Sequence, residues 1–261
     1  METIDFIEVP HLQEISNFLP VNPEDEEDVI GYIQNISNLI AVNYRYEQYQ
    51  FAYFGIHLLY MTYIYSTAWK VSQMEPNRYK DAIVFARSYK GRENELNIVD
   101  ADSIFNFSLM PEGDISKLFR IIGLDNSQIV AVSNLVDSRN EMAHATGKIQ
   151  LLTEDSFEVK TTSIYHSIRN IHKSMETPIR EWYSQELIRF CKGEYSDYDE
   201  ARDFILEHMI QSFKLSINEL LTCNNMSVKK LISEHRDFEE SLKSFKKELS
   251  NYCKEAGYIQ D

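Results

Sequence analysis

Hydrophobic residues recur every three or four positions along most of this chain, which is the period of helices that bury one face. The pattern predicts helices over residues 11–18, 24–41, 44–74, 78–88, 114–122 and 163–191, one more that ends near residue 147, and two helical stretches after residue 196. Only 8 glycines and 6 prolines occur among 261 residues, which favours long helices with few turns. The fold class is therefore predicted to be mainly α.

Residues 51–69 form a run of 19 residues without Asp, Glu, Lys or Arg, which is the length of a bilayer span. Tyrosines such as Tyr53 and Tyr60 are scattered through the run instead of lying at its two ends, and His57 and Thr62 add polar groups. This distribution favours a buried central helix, with its tyrosine hydroxyls bonded in the core or at a dimer interface. No association with a membrane is expected.

Two segments depart from the helical pattern. A long loop opens near residue 90 and contains Pro111 and Gly113; ordered loops of this length either contact substrate or simply connect elements. Apolar and polar side chains alternate in residues 148–152 and again in residues 157–161, and Thr-Glu-Asp-Ser separates the two segments. This pattern predicts a small β-hairpin. We expect an acidic N-terminal helical segment over 1–43, a helical core over 44–191 and a C-terminal helical extension over 192–261, together forming one compact unit.

The helix that ends near residue 147 places an arginine where a hydrophobic residue is expected. At about 100° per residue, Val132 and Val136 share an apolar face whose centre lies near Arg139. Burying a guanidinium costs roughly several kcal/mol unless a carboxylate, a phosphate or dense hydrogen bonding meets it. Asn140 and His144 form a same-side pair one turn apart, at the edge of that face.

Arg139, Asn140 and His144 together resemble the R-x(4–6)-H motif of the HEPN superfamily of small α-helical domains. The spacing here is four residues, and an asparagine directly after the arginine matches the polar residue that ribonuclease members favour. The resemblance implies a HEPN-like helical bundle and a metal-independent endoribonuclease that needs no cofactor. It also implies a homodimer, in which two copies of the motif face each other across a cleft that binds RNA.

The resemblance further assigns a role to each residue. His144 acts as general acid or base at the 2′-hydroxyl or at the leaving 5′-oxygen. Arg139 binds and neutralises the phosphate, and Asn140 orients the histidine or the RNA. Products with 2′,3′-cyclic phosphate ends follow. The biological role implied is that of a toxin or an effector in bacterial anti-phage defence or stress response, restrained by an antitoxin or another regulatory protein. Some HEPN toxins carry a modifiable tyrosine two residues after the histidine, a position that is Thr146 here.

Net charge changes this picture, because a chain at −15 repels nucleic acid at long range. RNA binding therefore requires a local basic groove, for which the candidate side chains are Lys148, Arg78, Lys80 and Arg87. The acidic run at residues 24–28 is interpreted as a helix start, or alternatively as a cover over a basic site. Three widely spaced cysteines and no metal-binding spacing predict reduced thiols in the cytoplasm.

A second interpretation belongs to a different class of protein. The same helices would form a dimeric, non-catalytic HEPN-like interaction module that binds a protein partner. In that case Arg139 is one member of a buried ion pair, and the acidic surface binds a basic partner. The net charge favours this interpretation, whereas the motif favours the ribonuclease.

Overall fold

A computed structural model describes residues 9–20, 29–84, 98–143, 151–198 and 200–259, and of residues 140–143 it describes the backbone alone. The described chain is mainly helical, as the hydrophobic pattern predicts. It divides into two compact units, which are considered separately. Unit 1 comprises Met1–Leu19 and Glu26–Ser174, and unit 2 comprises Pro20–Asp25 and Met175–Asp261.

Within its described residues, unit 1 contains the seven α-helices named here, the last of which continues into unit 2. In chain order they are α1 (Leu12–Ser16), α2 (Val29–Arg45), α3 (Tyr49–Met74), α4 (Pro76–Ile83), α5 (Glu112–Ile115), α6 (Asn126–Ala143) and α7 (Glu154–Cys191). Two short 3₁₀ helices, Ile104–Leu109 and Ser116–Arg120, flank α5. The described part of the long loop predicted to open near residue 90 therefore contains helical turns.

The centre of unit 1 is α3, whose residues are buried around most of its circumference. The hydroxyl of Tyr60 pairs with Ser167 at 2.9 Å, and that of Tyr63 donates to the carbonyl of Ile168 at 3.2 Å. These contacts satisfy polar groups inside a packed core, as burial requires. The prediction of a buried central helix at residues 51–69 is confirmed. Along the described chain, no helix combines the length and the apolar character that a membrane span requires.

The predicted β-hairpin is wrong at its second strand, because residues 157–161 lie inside α7. Thr153 begins this helix: its hydroxyl oxygen accepts a hydrogen bond from the backbone N–H of Ser156 at 3.3 Å, as in a helix N-cap. Phe157, Thr161 and Ile164 are all fully buried at helical spacing. Alternation over five residues was therefore part of a longer helical period, and the presumed turn residues cap a helix. Most of the first strand, residues 148–150, lies outside the described residues.

Unit 2 contains the remaining helices and part of α7. They are α8 (Ala201–Asp203), a π-helix (Phe204–Ser212), α9 (Ile217–Asn224), α10 (Lys229–Glu234), a 3₁₀ turn (Arg236–Phe238) and α11 (Glu239–Glu255). Leu242, Phe245 and Leu249 line the buried face of α11. Ser216 and Glu219 form a reciprocal capping box at the start of α9. The C-terminal helices that the sequence predicts are present.

A close approach between α2 and α3 depends on a single glycine. A Cβ atom at Gly55 would lie 2.4 Å from Cγ1 of Ile40, a side chain that is fully buried. No ordinary side-chain contact is that short, so any larger residue at position 55 must displace the buried Ile40 side chain or push the two helices apart.

We therefore expect Gly55→Ala to lower the free energy of unfolding by about 1–3 kcal/mol, although alanine is the better helix former. Gly31→Ala in α2 is the matched control, because a Cβ atom at Gly31 has nothing within 4 Å. That change should raise stability by up to about 1 kcal/mol. Urea unfolding of the three proteins checks both signs, and two stabilising substitutions would refute the close approach.

Candidate functional site

The helix that carries the R-x4-H motif starts at a well-formed cap. Asp125 accepts hydrogen bonds from the backbone N–H of Gln128 at 2.9 Å and from the hydroxyl of Ser127 at 2.6 Å. In return, the side chain of Gln128 accepts the backbone N–H of Asp125 at 2.9 Å. Gly123, with φ +88°, provides the left-handed turn before the cap. These local interactions fix where α6 begins and therefore which face Arg139 occupies.

Arg139 is bonded to a carboxylate from a neighbouring helix. Its Nη2 donates to Oε2 of Glu112 on α5 in a short, charge-assisted contact. The ion pair remains accessible to solvent, since 23% of the Arg139 side chain and 29% of the Glu112 side chain are exposed. The guanidinium Nε is buried without a hydrogen-bond partner among the described residues. The sequence predicted that some acceptor must meet Arg139, and Glu112 is that acceptor.

His57 of α3 stands against the same carboxylate. Its Nε2 lies 3.6 Å from Oε2 of Glu112, and only 1% of the residue is exposed. Neither ring nitrogen has a hydrogen-bond partner in the described part of the chain. Burial lowers the pKa of His57, and the charge of Arg139 adds to that effect against the opposing influence of Glu112. The ring is therefore neutral near pH 7.

The same three groups set the ionisation of Glu112. Burial raises the pKa of this carboxyl, but the contacts with His57 and Arg139 outweigh burial, and the net pKa lies below its ordinary value. Glu112 is thus an anion at neutral pH. Helices α3, α5 and α6 thus place the Glu112 carboxylate between the Arg139 cation and the neutral imidazole of His57.

A second cation lies beside Arg139. Lys160 of α7 donates to the hydroxyl oxygen of Ser138 at 2.9 Å, directly before Arg139 in the chain. Its ammonium also lies 5.4 Å from the centre of the Tyr53 ring. Burial raises the pKa of Tyr53, whose side chain is enclosed in the core, so its hydroxyl stays protonated. The locality therefore presents two cations and one anion.

Other side chains predicted for this site are placed elsewhere or not described. His144, Arg87, Lys148 and the side chain of Asn140 lie outside the described residues. Arg78 and Lys80 lie on α4 and are more than half exposed. Arg78 pairs with Glu75 and Lys80 with Asp100, each at 3.9 Å. The structure joins neither of them to Arg139 by a described contact.

Four neighbours of Arg139 escaped the analysis of the sequence, namely Glu112, His57, Tyr53 and Lys160. Glu112 lies 27 positions from Arg139, and Lys160 lies 22 positions from Ser138. No local pattern reports contacts at such separations. One signal did exist, since Glu112 stands between Pro111 and Gly113 in the loop whose length suggested a functional segment. That position alone did not distinguish Glu112 from the other carboxylates of the chain.

The arrangement can bind an anion and hold a proton-transfer group nearby. A guanidinium carries five N–H donors, and Glu112 takes a hydrogen bond from Nη2 alone. The remaining exposed donors can bind a phosphate oxygen while Glu112 keeps the side chain in place. Across the ranges that the structure describes, no group of three or more His, Cys, Asp or Glu side chains is arranged to hold a metal ion.

Unit 2 has a separate polar cluster around Glu186, a buried carboxylate that lies beside the π-helix. It accepts hydrogen bonds from Nε2 of His208 at 2.7 Å, from Nη1 of Arg189 at 2.9 Å and from the hydroxyl of Tyr195. Burial raises the pKa of Glu186, but these three donors lower it by more than burial raises it. The net pKa lies below the ordinary carboxyl value. A carboxylate with three donors is fully engaged, so this cluster stabilises unit 2.

Comparison with family models, with curated proteins and with solved structures found no match for the chain.

Loss of the Glu112 carboxylate should destabilise the protein. Glu112→Gln leaves a partly buried guanidinium without its anion, so we expect a loss of about 1–2 kcal/mol at pH 7, less than for a sealed pair. Because the folded pKa of Glu112 is depressed, this contribution is present above the ordinary carboxyl pKa and disappears as pH falls through the folded value. Asp114→Asn, which removes a carboxylate beside the largely exposed Lys117, is the control and should cost much less. Urea unfolding from pH 7 to pH 3 measures both, and an equal cost for the two variants would contradict the assignment.

The neutral His57 predicts a second pH dependence in a higher range. Its folded pKa lies below the ordinary value near 6.5, so the unfolded chain binds the proton first and stability falls as pH drops below about 6.5. His57→Gln removes this titration and should flatten the unfolding free energy between pH 7 and pH 5. Chemical denaturation at half-unit steps would reveal it. An unchanged slope in the variant would show that His57 is not held neutral.

Proposed function

We propose that this chain is a metal-independent endoribonuclease of HEPN type. The observation that carries the proposal is the position of Arg139. It is the first residue of an Arg-Asn-x3-His sequence, lies near the end of a long helix, and keeps about a quarter of its side chain exposed beside a second cation, Lys160. A partly exposed arginine held beside a carboxylate and a buried histidine is the kind of ionisable cluster that supports a functional site.

The reaction would proceed by attack of the RNA 2′-oxygen on the adjacent phosphorus. A bond forms between that oxygen and phosphorus, the bond from phosphorus to the 5′-oxygen breaks, and a 2′,3′-cyclic phosphate results. One proton leaves the 2′-hydroxyl for a general base and another reaches the departing 5′-oxygen, with His144 serving in this transfer. Arg139 neutralises charge on the phosphoryl oxygens, and Asn140 orients the histidine or the RNA.

Glu112 and His57 would act as positioning residues in this scheme. Glu112 fixes one edge of the Arg139 guanidinium, and the buried His57 packs against the same carboxylate and limits where it can lie. A side chain with many rotamers is thereby held in one orientation before substrate arrives, which lowers the entropic cost of binding. The proposed assembly is a homodimer in which two such sites face one RNA. A role as a toxin or anti-phage effector, restrained by a partner protein, belongs to the same proposal.

A second candidate is favoured by the same ion pair. In a non-catalytic dimeric interaction module, Arg139 serves only to pair with Glu112, and the net charge of −15 suits a basic protein partner. The two candidates differ in what Arg139→Ala does to a protein that still folds. The module loses stability alone, whereas the ribonuclease loses cleavage.

RNA cleavage tests the proposal directly. Purified protein is incubated with a mixed RNA pool in the presence of EDTA, and the new ends are mapped for cyclic phosphate. We expect cleavage by the parent chain and a loss of about 100-fold or more in His144→Ala and in Arg139→Ala, the scale of acid–base and oxyanion effects.

Arg169→Ala is the matched control, since Arg169 is an exposed arginine of α7 that stacks on Tyr165 at 5.6 Å. It should cleave like the parent. Cleavage that persists in His144→Ala, or a parent that leaves the whole pool intact, would reject the ribonuclease. Two results together would favour the interaction module: the parent cleaves no RNA, and light scattering gives the mass of a dimer for both the parent and Arg139→Ala.

A further inference from the structure

An open groove lies between α6 and α7 in unit 1, close to Arg139 in the chain. Its volume is about 320 Å³, which is large enough for a small organic ring system. Its apolar wall is formed by Leu124, Val132, Leu135 and Ile171. None of the described side chains that line it is an Asp, Glu, Lys or Arg, although these residues make up 26% of the chain. The lining therefore suits an uncharged ligand.

The polar lining divides into groups that are already bonded and groups that are free. Ser163 donates to the carbonyl of Val159 at 2.9 Å, and Ser167 pairs with the hydroxyl of Tyr60 at 2.9 Å. Those two hydroxyls belong to the protein's own hydrogen-bond network. They form part of the wall but are not its main recognition groups.

Three other side chains present unused donors and acceptors. The amide of Gln128 uses only its oxygen, which accepts the backbone N–H of Asp125. Among the described residues, the amide of Asn170 and the imidazole of His166 have no hydrogen-bond partner. An amide donor, a complete amide and a flat aromatic ring facing an apolar wall are the features that recognise an unpaired nucleobase by its edge and its face.

The groove and the cations share the same helices. Leu135 lines the groove one turn before Arg139 on α6, a rise of about 6 Å and a rotation of only about 40°. Ser163 lines it on α7 less than one turn beyond Lys160. A neutral groove thus ends next to two cations, which matches the distribution of charge in a nucleotide, with an uncharged base beside an anionic phosphate.

We propose that this groove binds an unpaired nucleobase of the RNA whose phosphate is held by Arg139, with Gln128 and Asn170 selecting the base. The inference rests on the proposed ribonuclease function, which it deepens by making single-stranded RNA the substrate class. The groove then gives a base preference next to the cleaved bond. The phosphate contacts alone carry no sequence information.

Binding of short RNA tests the groove separately from cleavage. The probes are fluorescent 2′-O-methyl hexamers of A, C or U, which cannot be cut through the 2′-oxygen, and an abasic hexamer with the same number of phosphates. The parent chain should bind at least one base-bearing hexamer about tenfold more tightly than the abasic one, within the range known for base stacking.

Ala131→Trp fills the groove from an exposed position that lines it and should remove most of that tenfold difference without weakening the abasic complex. Gln128→Ala combined with Asn170→Ala should change the ranking among A, C and U. The matched controls are Val130→Trp and Asn134→Ala, exposed positions on α6 that do not line the groove. Both should bind like the parent, and thermal unfolding verifies that each variant is folded.

The outcomes separate the two proposals. Equal binding of base-bearing and abasic hexamers by the parent, or an undiminished difference in Ala131→Trp, overturns the groove whether or not RNA is cleaved. Base-dependent binding that Ala131→Trp abolishes, in a protein that cleaves no RNA, supports the groove and rejects the ribonuclease. Arg139→Ala should weaken both kinds of hexamer, since it acts on the phosphate.

Discussion

The burial of α3 is the constraint on which the rest of unit 1 depends. A helix enclosed on nearly all sides buries its polar side chains inside the protein, where several of them contact a neighbouring element. Tyr60 and Tyr63 hold α7 by hydrogen bonds to Ser167 and Ile168, and His57 lies against Glu112 of α5. Gly55 lets α2 approach closely. The candidate site is therefore assembled around the polar positions of one core helix.

Charge is arranged at two scales in this molecule. The whole chain carries −15, which disfavours long-range attraction of RNA. At the scale of the site, Glu112 neutralises part of Arg139, His57 is kept neutral by burial, and Lys160 adds a second cation. If RNA is the substrate, as proposed, its recognition would rely on short-range contacts more than on electrostatic steering, because the field of the whole molecule opposes a polyanion. A neutral groove next to the cations suits that requirement.

The sequence predicted features that depend on local periodicity. The mainly helical class and the buried run at 51–69 follow from the spacing of apolar residues, which short segments encode by themselves. The hairpin failed for the same reason, since residues 157–161 satisfy a period of two locally and a period near 3.6 only when the segment is extended to Ile164 and beyond. A longer window would have identified the helix.

The residues that surround Arg139 could not be predicted from local periodicity. The apolar face around position 139 established that an acceptor was needed, yet many carboxylates could have supplied it. The choice of Glu112 follows from the packing of α5 against α3 and α6, which involves residues far apart in the chain. Pairing of that kind is a tertiary property, and sequence periodicity carries no record of it.

The proposed function makes two demands on Arg139 that usually conflict, since a buried position needs a paired charge and a binding site needs a free one. The guanidinium meets both because its donors point along separate directions, and the contact with Glu112 occupies only Nη2. Lysine would be a poorer choice, because its three donors share one nitrogen and lack the separate edges of a planar guanidinium. In the proposed function, this partly exposed arginine, anchored on one edge by Glu112, would stabilise the resting protein and keep its other donors available for a phosphate oxygen.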